Sequence, residues 1–213
     1  MAEKNDYVNR ELSWIEFNYR VLSEARDKST PLFDRLKFLS ITASNLDEFY
    51  MVRVASLKDM VHAKYAKKDI AGLTAKEQLD KISEKTHQLV DLQYSTYNRS
   101  LVPALKQNGL RIVMEHEDLT EDEAAFADEY FHKNVYPVLT PMAFDSSRPF
   151  PLIRNKTLNI AALLKKKNEK EAELEFAMVQ VPAVLPRILS LPVTTDENHN
   201  ETRNVIFLEE IIE

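Results

Sequence analysis

The sequence predicts an α+β protein: an all-α antiparallel helical bundle over residues 1–108, then an α+β domain over 109–213. Three observations carry this. Apolar residues recur at three- and four-residue steps almost continuously up to Asn108. Only two glycines occur, Gly72 and Gly109, and both read as punctuation. From Leu110 the texture changes to short apolar runs separated by turn residues. At 213 residues the chain is long enough for two domains, each with a core of its own.

Within the first half, "RELSWIEFNYRVLSEA" places Leu12, Trp14, Ile15, Phe17, Val21, Leu22 and Ala25 on one broad apolar stripe. "STPLFDRLKFLSI" restarts a helix, with Thr30 as N-cap, Pro31 at the first helical position, and Leu32, Phe33, Leu36 and Leu39 facing inward. A third helix is expected from about Leu46 to about Tyr65. Asn45 suits its N-cap and Glu48 its third position, while Leu46, Phe49, Val52 and Val54 supply core contacts. Thr74 and Glu77 form a T-x-x-E capping box opening a long helix through Leu79, Ile82, Leu89, Tyr97, Leu101 and Leu105. Pro103 predicts a kink or an earlier stop, and Gly109 ends the helix.

In the second half, "LRIVM" reads as a strand, and Thr120 with Glu123 opens a helix to about Tyr136. "YPVLTPMAFDSSRPFPLI" holds too many prolines for a regular element. "TLNIAALLK" and "ELEFAMVQV" predict an antiparallel hairpin, the Lys165–Lys167 run being its solvated tip. "NVIFL" is a last short strand. "EEIIE" reads as an opening helical turn, so residues 109–213 are expected to be an incomplete domain.

Composition excludes several chemistries. Without cysteine there is no disulfide, thiolate nucleophile or Cys-ligated metal. Two isolated glycines cannot form a P-loop or a G-x-G-x-x-G turn. His62, His87, His116, His132 and His199 are scattered, with no H-E-x-x-H. The net charge of −6 divides as +2 over residues 1–108 and −8 over the rest, with no concentrated basic face for nucleic acid. No membrane span and no secretion signal are visible, which points to the cytoplasm.

One stretch mixes chemistries: "SNLDEFYMVR", residues 44–53. Its structural reading is a helix start with acids at the positive end of the dipole. Its functional reading uses the same place, since a carboxamide both donates and accepts and so can read the edge of a nucleotide base.

"YVNRELSWIEFNYRVLSEARDKSTPLFDRLKFLSITASNLDEFYMVR" closely resembles the amino-terminal domain of the class 1 polyphosphate kinases. "PVLTPMAFDSSRPFP" followed by "TLNIAALL" resembles the start of that family's head domain. The resemblance implies a spectrin-like bundle followed by an α+β head that takes part in homodimers or higher homo-oligomers. It implies reversible transfer of the terminal phosphate of ATP onto inorganic polyphosphate through a phosphohistidine, with magnesium. It implies ATP contact at Asn45, and places the catalytic histidines and the magnesium-linked phosphate site in two further carboxy-terminal domains. No catalytic residue or metal ligand is therefore expected here, ATP/ADP and polyphosphate are the implied partners, and a peripheral position at the inner face of the membrane stays open. Two other readings use the same residues: a non-catalytic protein-interaction module, and direct polyphosphate binding through Lys58, Lys64, Lys67 and Lys68, the last three sharing a helix face if the third helix extends that far.

Overall fold

The first helix, α1 (Arg10–Arg26), starts where the Asn9 side chain accepts a hydrogen bond from the Leu12 N–H, satisfying one of the free donors of a helix start. The computed structural model describes residues 7–144, 150–165, 175–195 and 201–213. The chain divides into two compact units, Met1–Gln107 and Asn108–Glu213.

In the first unit, α2 (Leu32–Phe49) runs through a π-helical turn, Tyr50–Val54, into α3 (Ala55–His62). α4 (Ala75–Thr96) passes through a second π turn, Tyr97–Leu101, into α5 (Val102–Gln107). α1 packs on α2 and α4, and α3 packs on α4. One apolar cluster gathers Ile15, Phe49, Val54, Leu57, Ala75 and Ile82; a second is built on Leu22, Ala25 and Leu89. Fully burying such side chains contributes roughly 1.5–3 kcal/mol each, which outweighs the intrinsic preferences of single positions.

That balance corrects the expected break at Asn45. The helix does not restart there; Asn45 lies well inside α2, and its turn offers no free N–H groups. No Pro or Gly interrupts "TASNLDEF", and just after the cap-prone Ser44 and Asn45 Leu46 packs against the core and Phe49 is buried in it, so packing overrides the capping preference. Pro31, not Thr30, occupies the N-cap of α2, and no side chain caps it. Phe17, Phe33 and Val52 are exposed rather than inward; the core takes Asn18 and Arg35 on the faces expected to be apolar. Buried Arg35 is satisfied by the Ala25 carbonyl and the Ser100 hydroxyl.

α3 ends at His62, short of Tyr65. The Lys64 N–H bonds to the Val61 carbonyl and the Tyr65 N–H to the Met60 carbonyl, the paired pattern of a left-handed helix terminus, with Lys64 at φ +55°. Lys64, Lys67 and Lys68 therefore share no helix face. The Thr74–Glu77 capping box forms in both directions. Pro103 neither stops nor ends the helix. It follows a π turn in which the Val102 N–H reaches back to the Tyr97 carbonyl, a register that accommodates a residue without an N–H.

In the second unit, β1 (Leu110–Val113) follows Gly109, whose φ of +79° only glycine adopts without strain. α6 (Glu121–Tyr130) opens with the Thr120–Glu123 capping box and continues through a π turn, Phe131–Val135, and a 3-10 turn, Tyr136–Val138. β2 (Met142–Phe144), β3 (Asn159–Leu164) and β4 (Glu175–Gln180) make an antiparallel sheet in the order β2-β4-β3, with Leu164 opposite Glu175 across the expected hairpin. Lys166 and Lys167 of its charged tip lie outside the described residues, as does His199. β5 (Ile188–Ser190), β6 (Thr194–Thr195) and β7 (Glu201–Phe207) complete a second sheet, in which β7 runs parallel to β1 and antiparallel to β5 and β6. α7 (Leu208–Ile212) follows.

One point corrects the expectation for this half, and one strand adds to it. The proline-rich stretch holds β2 and a 3-10 turn, because Pro137 sits at a turn start where its fixed φ fits and β2 falls between prolines. "PRILSLP" yields β5, a three-residue strand whose regularity comes from pairing with β7 rather than from its own pattern. The core of this unit is Val113, Val135, Val181, Leu189, Leu191, Ile206 and Leu208.

Candidate functional site

Asn45 lines an open groove of about 400 Å³ between α1 and α2, entirely within the helical unit. Arg10, Glu11, Trp14 and Phe17 form the wall from α1, at helical steps. Asn45, Glu48, Phe49, Val52 and Arg53 form the other, at the same steps along α2 and the π turn.

The wall positions are held by contacts far apart in sequence. Trp14 stacks flat on Phe49, with ring centroids 4.4 Å apart and planes 6° from parallel. Glu11, 5% exposed, accepts from Arg53 Nη2 at 2.6 Å and from Arg53 Nε at 3.2 Å, and from Arg10 Nη2 at 2.8 Å. A carboxylate so buried needs such pairing, and the two guanidiniums provide it. Arg53 sits in the π turn, where an Ala55 N–H reaches the Tyr50 carbonyl; the wider turn sets the angle from which Arg53 approaches Glu11. This explains the mixture in "SNLDEFYMVR": Phe49 goes to core, Arg53 to a buried acid, and Asn45 to the groove.

Asn45 is half-buried. Its Nδ2 donates to Asn18 Oδ1 at 3.1 Å, and fully buried Asn18 in turn donates to the Thr42 carbonyl at 3.1 Å. This chain orients the carboxamide, and among the described residues nothing donates to Asn45 Oδ1. Chemically, the groove offers an oriented acceptor beside exposed apolar surface from Phe17 and Val52, with a guanidinium pair at one end.

The start of α1 is anchored beneath that end. Asn9 Nδ2 donates to Asp69 Oδ2 at 2.6 Å and to Gln78 Oε1 at 2.9 Å, tying α1 to α4 and its preceding loop. Burial pushes the Asp69 carboxyl up, but the Leu73 N–H, the Asn9 amide and the Ala71 N–H outweigh it and hold Asp69 below the usual carboxylate range.

Of the residues singled out in the sequence, Asn45 is brought to a groove and Lys67 and Lys68 to a neighbouring one; Lys58 and Lys64 line neither. Sequence reasoning missed Arg10, Glu11, Trp14 and Phe17. The Glu11–Arg53 pair spans 42 positions and leaves no local signature. The one available hint was an apolar stripe on α1 wider than a core requires. Among the described residues, no three His, Asp or Glu side chains converge as a metal cluster, and no helix is long and apolar enough to cross a membrane.

Comparison with known proteins gives consistent matches. A family model described as the polyphosphate kinase N-terminal domain matches residues 7–113, and one described as the polyphosphate kinase middle domain matches residues 122–213. The chain is 52% identical over 206 residues to a polyphosphate kinase of Lactiplantibacillus plantarum, covering 97% of this chain and 27% of that protein. It is 47% identical over 209 residues to one from Bacillus anthracis, covering 97% and 29%. The crystal structure of polyphosphate kinase from Porphyromonas gingivalis superposes with a TM-score of 0.83 at 33% identity, covering 97% of this chain and 30% of that one. The chain thus spans under a third of the length of these relatives.

Proposed function

Since the chain belongs to the polyphosphate kinase family, we propose that it forms the amino-terminal portion of an enzyme that reversibly transfers the terminal phosphate of ATP to polyphosphate. In this reading the portion contributes contact with the ATP base and a surface for homodimerisation, while magnesium and the phosphohistidine belong to residues outside it. The observation that carries the base contact is the groove itself: Asn45, held by Asn18, with an acceptor oxygen that no described residue uses.

The groove residues divide the work by chemistry. Asn45 Oδ1 accepts from an exocyclic amine on the base edge, and its orientation is set before the ligand arrives, which lowers the entropy lost on binding. Phe17 and Val52 contact the apolar faces of the base. Glu11 holds Arg53 in place. For self-association, the support is an aromatic cluster on the small sheet, where Phe144, Phe150 and Phe176 stand 5.5 to 6.1 Å apart and Phe150 is 63% exposed. The same cluster favours the second reading, a non-catalytic protein-interaction module.

Titrating the chain with ATP while following its melting tests the proposal. At ATP about tenfold above Kd, binding adds about 1.4 kcal/mol of stability. Asn45→Ala is expected to lose most of that gain, and in a complete enzyme to raise the KM for ATP more than it lowers kcat. A chain whose melting ignores ATP, or an Asn45→Ala enzyme that loses kcat with KM unchanged, contradicts the base-contact role and leaves the interaction module as the better account.

A further inference from the structure

The oxygen and amide ends of a carboxamide are nearly the same size, so its neighbours decide which end Asn45 turns to the groove. Here that decision begins at a main-chain carbonyl on the same helix. Asn18, fully buried on α1, donates from Nδ2 to the Thr42 carbonyl of α2 at 3.1 Å. A carbonyl oxygen only accepts, and the Thr42 hydroxyl is committed to the Phe38 carbonyl at 2.8 Å, so that hydroxyl offers Asn18 no donor. The amide end of Asn18 must face Thr42.

That leaves Asn18 Oδ1 for Asn45, whose Nδ2 donates to it at 3.1 Å. Turning over either carboxamide would set oxygen against oxygen, Asn18 Oδ1 on the Thr42 carbonyl or Asn45 Oδ1 on Asn18 Oδ1. Each reversal loses a hydrogen bond and strands acceptors where little water reaches, a penalty larger than the net gain from the bond itself. The polarity imposed at Thr42 is thereby relayed to the groove wall. Asn18 and Thr42 are both fully buried and do not line the groove, so they act on a ligand only through Asn45.

We infer that Asn18 is a positioning residue that holds Asn45 with its oxygen end toward the groove, and so makes the groove select a base edge bearing an amine over one bearing a carbonyl. This rests on the base contact proposed for Asn45. An amine donates to Asn45 Oδ1; a carbonyl in its place meets a second acceptor, and Asn45 cannot rotate to offer its amide while Asn18 holds it. The selectivity is a repulsion against the wrong base, set by a side chain that never touches it.

The test compares ATP with inosine triphosphate, in which a carbonyl replaces the exocyclic amine and the neighbouring ring nitrogen becomes a donor. Trp14, the only tryptophan, stacks on Phe49 in the wall of the same groove, so its fluorescence follows binding of either nucleotide to the 213-residue chain. Wild type is expected to prefer ATP by about tenfold, the scale of one hydrogen bond exchanged for a repulsion. Asn18→Leu, nearly isosteric, frees Asn45 to turn over; the preference is expected to fall to within about twofold, mainly because inosine triphosphate binds more tightly. Asn18→Asp keeps an acceptor facing Asn45 and is expected to keep the preference. A purely structural role for Asn18 would weaken both nucleotides alike and leave their ratio unchanged; melting temperatures show that each variant is folded. Equal affinities in wild type, or a preference that survives Asn18→Leu, overturns the inference. A chain that binds neither nucleotide, or that binds ATP as tightly after Asn45→Ala, overturns the base contact as well. Loss of ATP affinity in Asn45→Ala with a preference that survives Asn18→Leu overturns the positioning role alone.

Discussion

Lys64 stands at φ +55°, a left-handed conformation that disfavours a side chain with a Cβ by roughly 1–2 kcal/mol. It is held there because the helix terminus needs that geometry to pair the Lys64 and Tyr65 N–H groups with carbonyls of α3. Lys64→Gly is expected to stabilise the chain by about 0.5–1 kcal/mol, the strain removed less the entropy glycine loses on folding, measured by urea denaturation. A loss of stability would mean that the Lys64 side chain makes a contribution beyond its backbone. Asp69 carries a pH dependence. Its carboxyl is held below its unfolded value, so its contribution is fully present above about pH 4 and is lost as the pH falls through the lower folded value. Melting measured between pH 6 and 3 should show an acid-side decline that is shallower in Asp69→Asn; identical slopes in the two proteins would assign the decline to other carboxylates.

Two helices begin with the same four-residue capping pattern, yet the surroundings make them unequal. Glu77 at the start of α4 is exposed and serves only Thr74, so Glu77→Ala is expected to cost about 1 kcal/mol. Glu123 at the start of α6 is fully buried; besides bonding the Thr120 N–H it faces Arg111 Nη1 at 3.2 Å, and that arginine also donates to the Asp118 carbonyl. Removing it strands a partly buried guanidinium, so Glu123→Ala is expected to cost about 3 kcal/mol or more. Comparable losses in chemical denaturation would show that the Arg111 contact contributes little. Both caps were legible from spacing alone, because a capping box is a local exchange between positions three apart. The helix through Asn45 was not legible, because its continuity depends on where Leu46 and Phe49 pack, and that is decided by α1 and α4.

Among the described residues, the buried hydrophobic side chains of the two units fall in different clusters. The one holding Leu22, Ala25 and Leu89 shares no residue with the one holding Val113, Val135 and Ile206. Leu89→Ala and Ile206→Ala are each expected to cost about 2–5 kcal/mol, and the double variant their sum within about 0.5 kcal/mol. A coupling energy above 1 kcal/mol in this cycle would show that the two cores stabilise one another.

By itself the sequence determined the α+β class, the helical character of the first half, both capping boxes, the glycine-terminated helix before β1 and the family resemblance. These rest on short-range periodicity, caps and motif identity, all of which act within a few residues. Only the tertiary structure decided that Asn45 sits inside a continuous helix, that Phe17 and Val52 face solvent while Asn18 and Arg35 are buried, that β5 exists, and that Glu11 and Arg53 meet. The physical reason is the same in each case: apolar burial between distant segments contributes several kcal/mol in sum and dictates which buried polar groups must then find partners, whereas the local preferences it overrides differ by well under one.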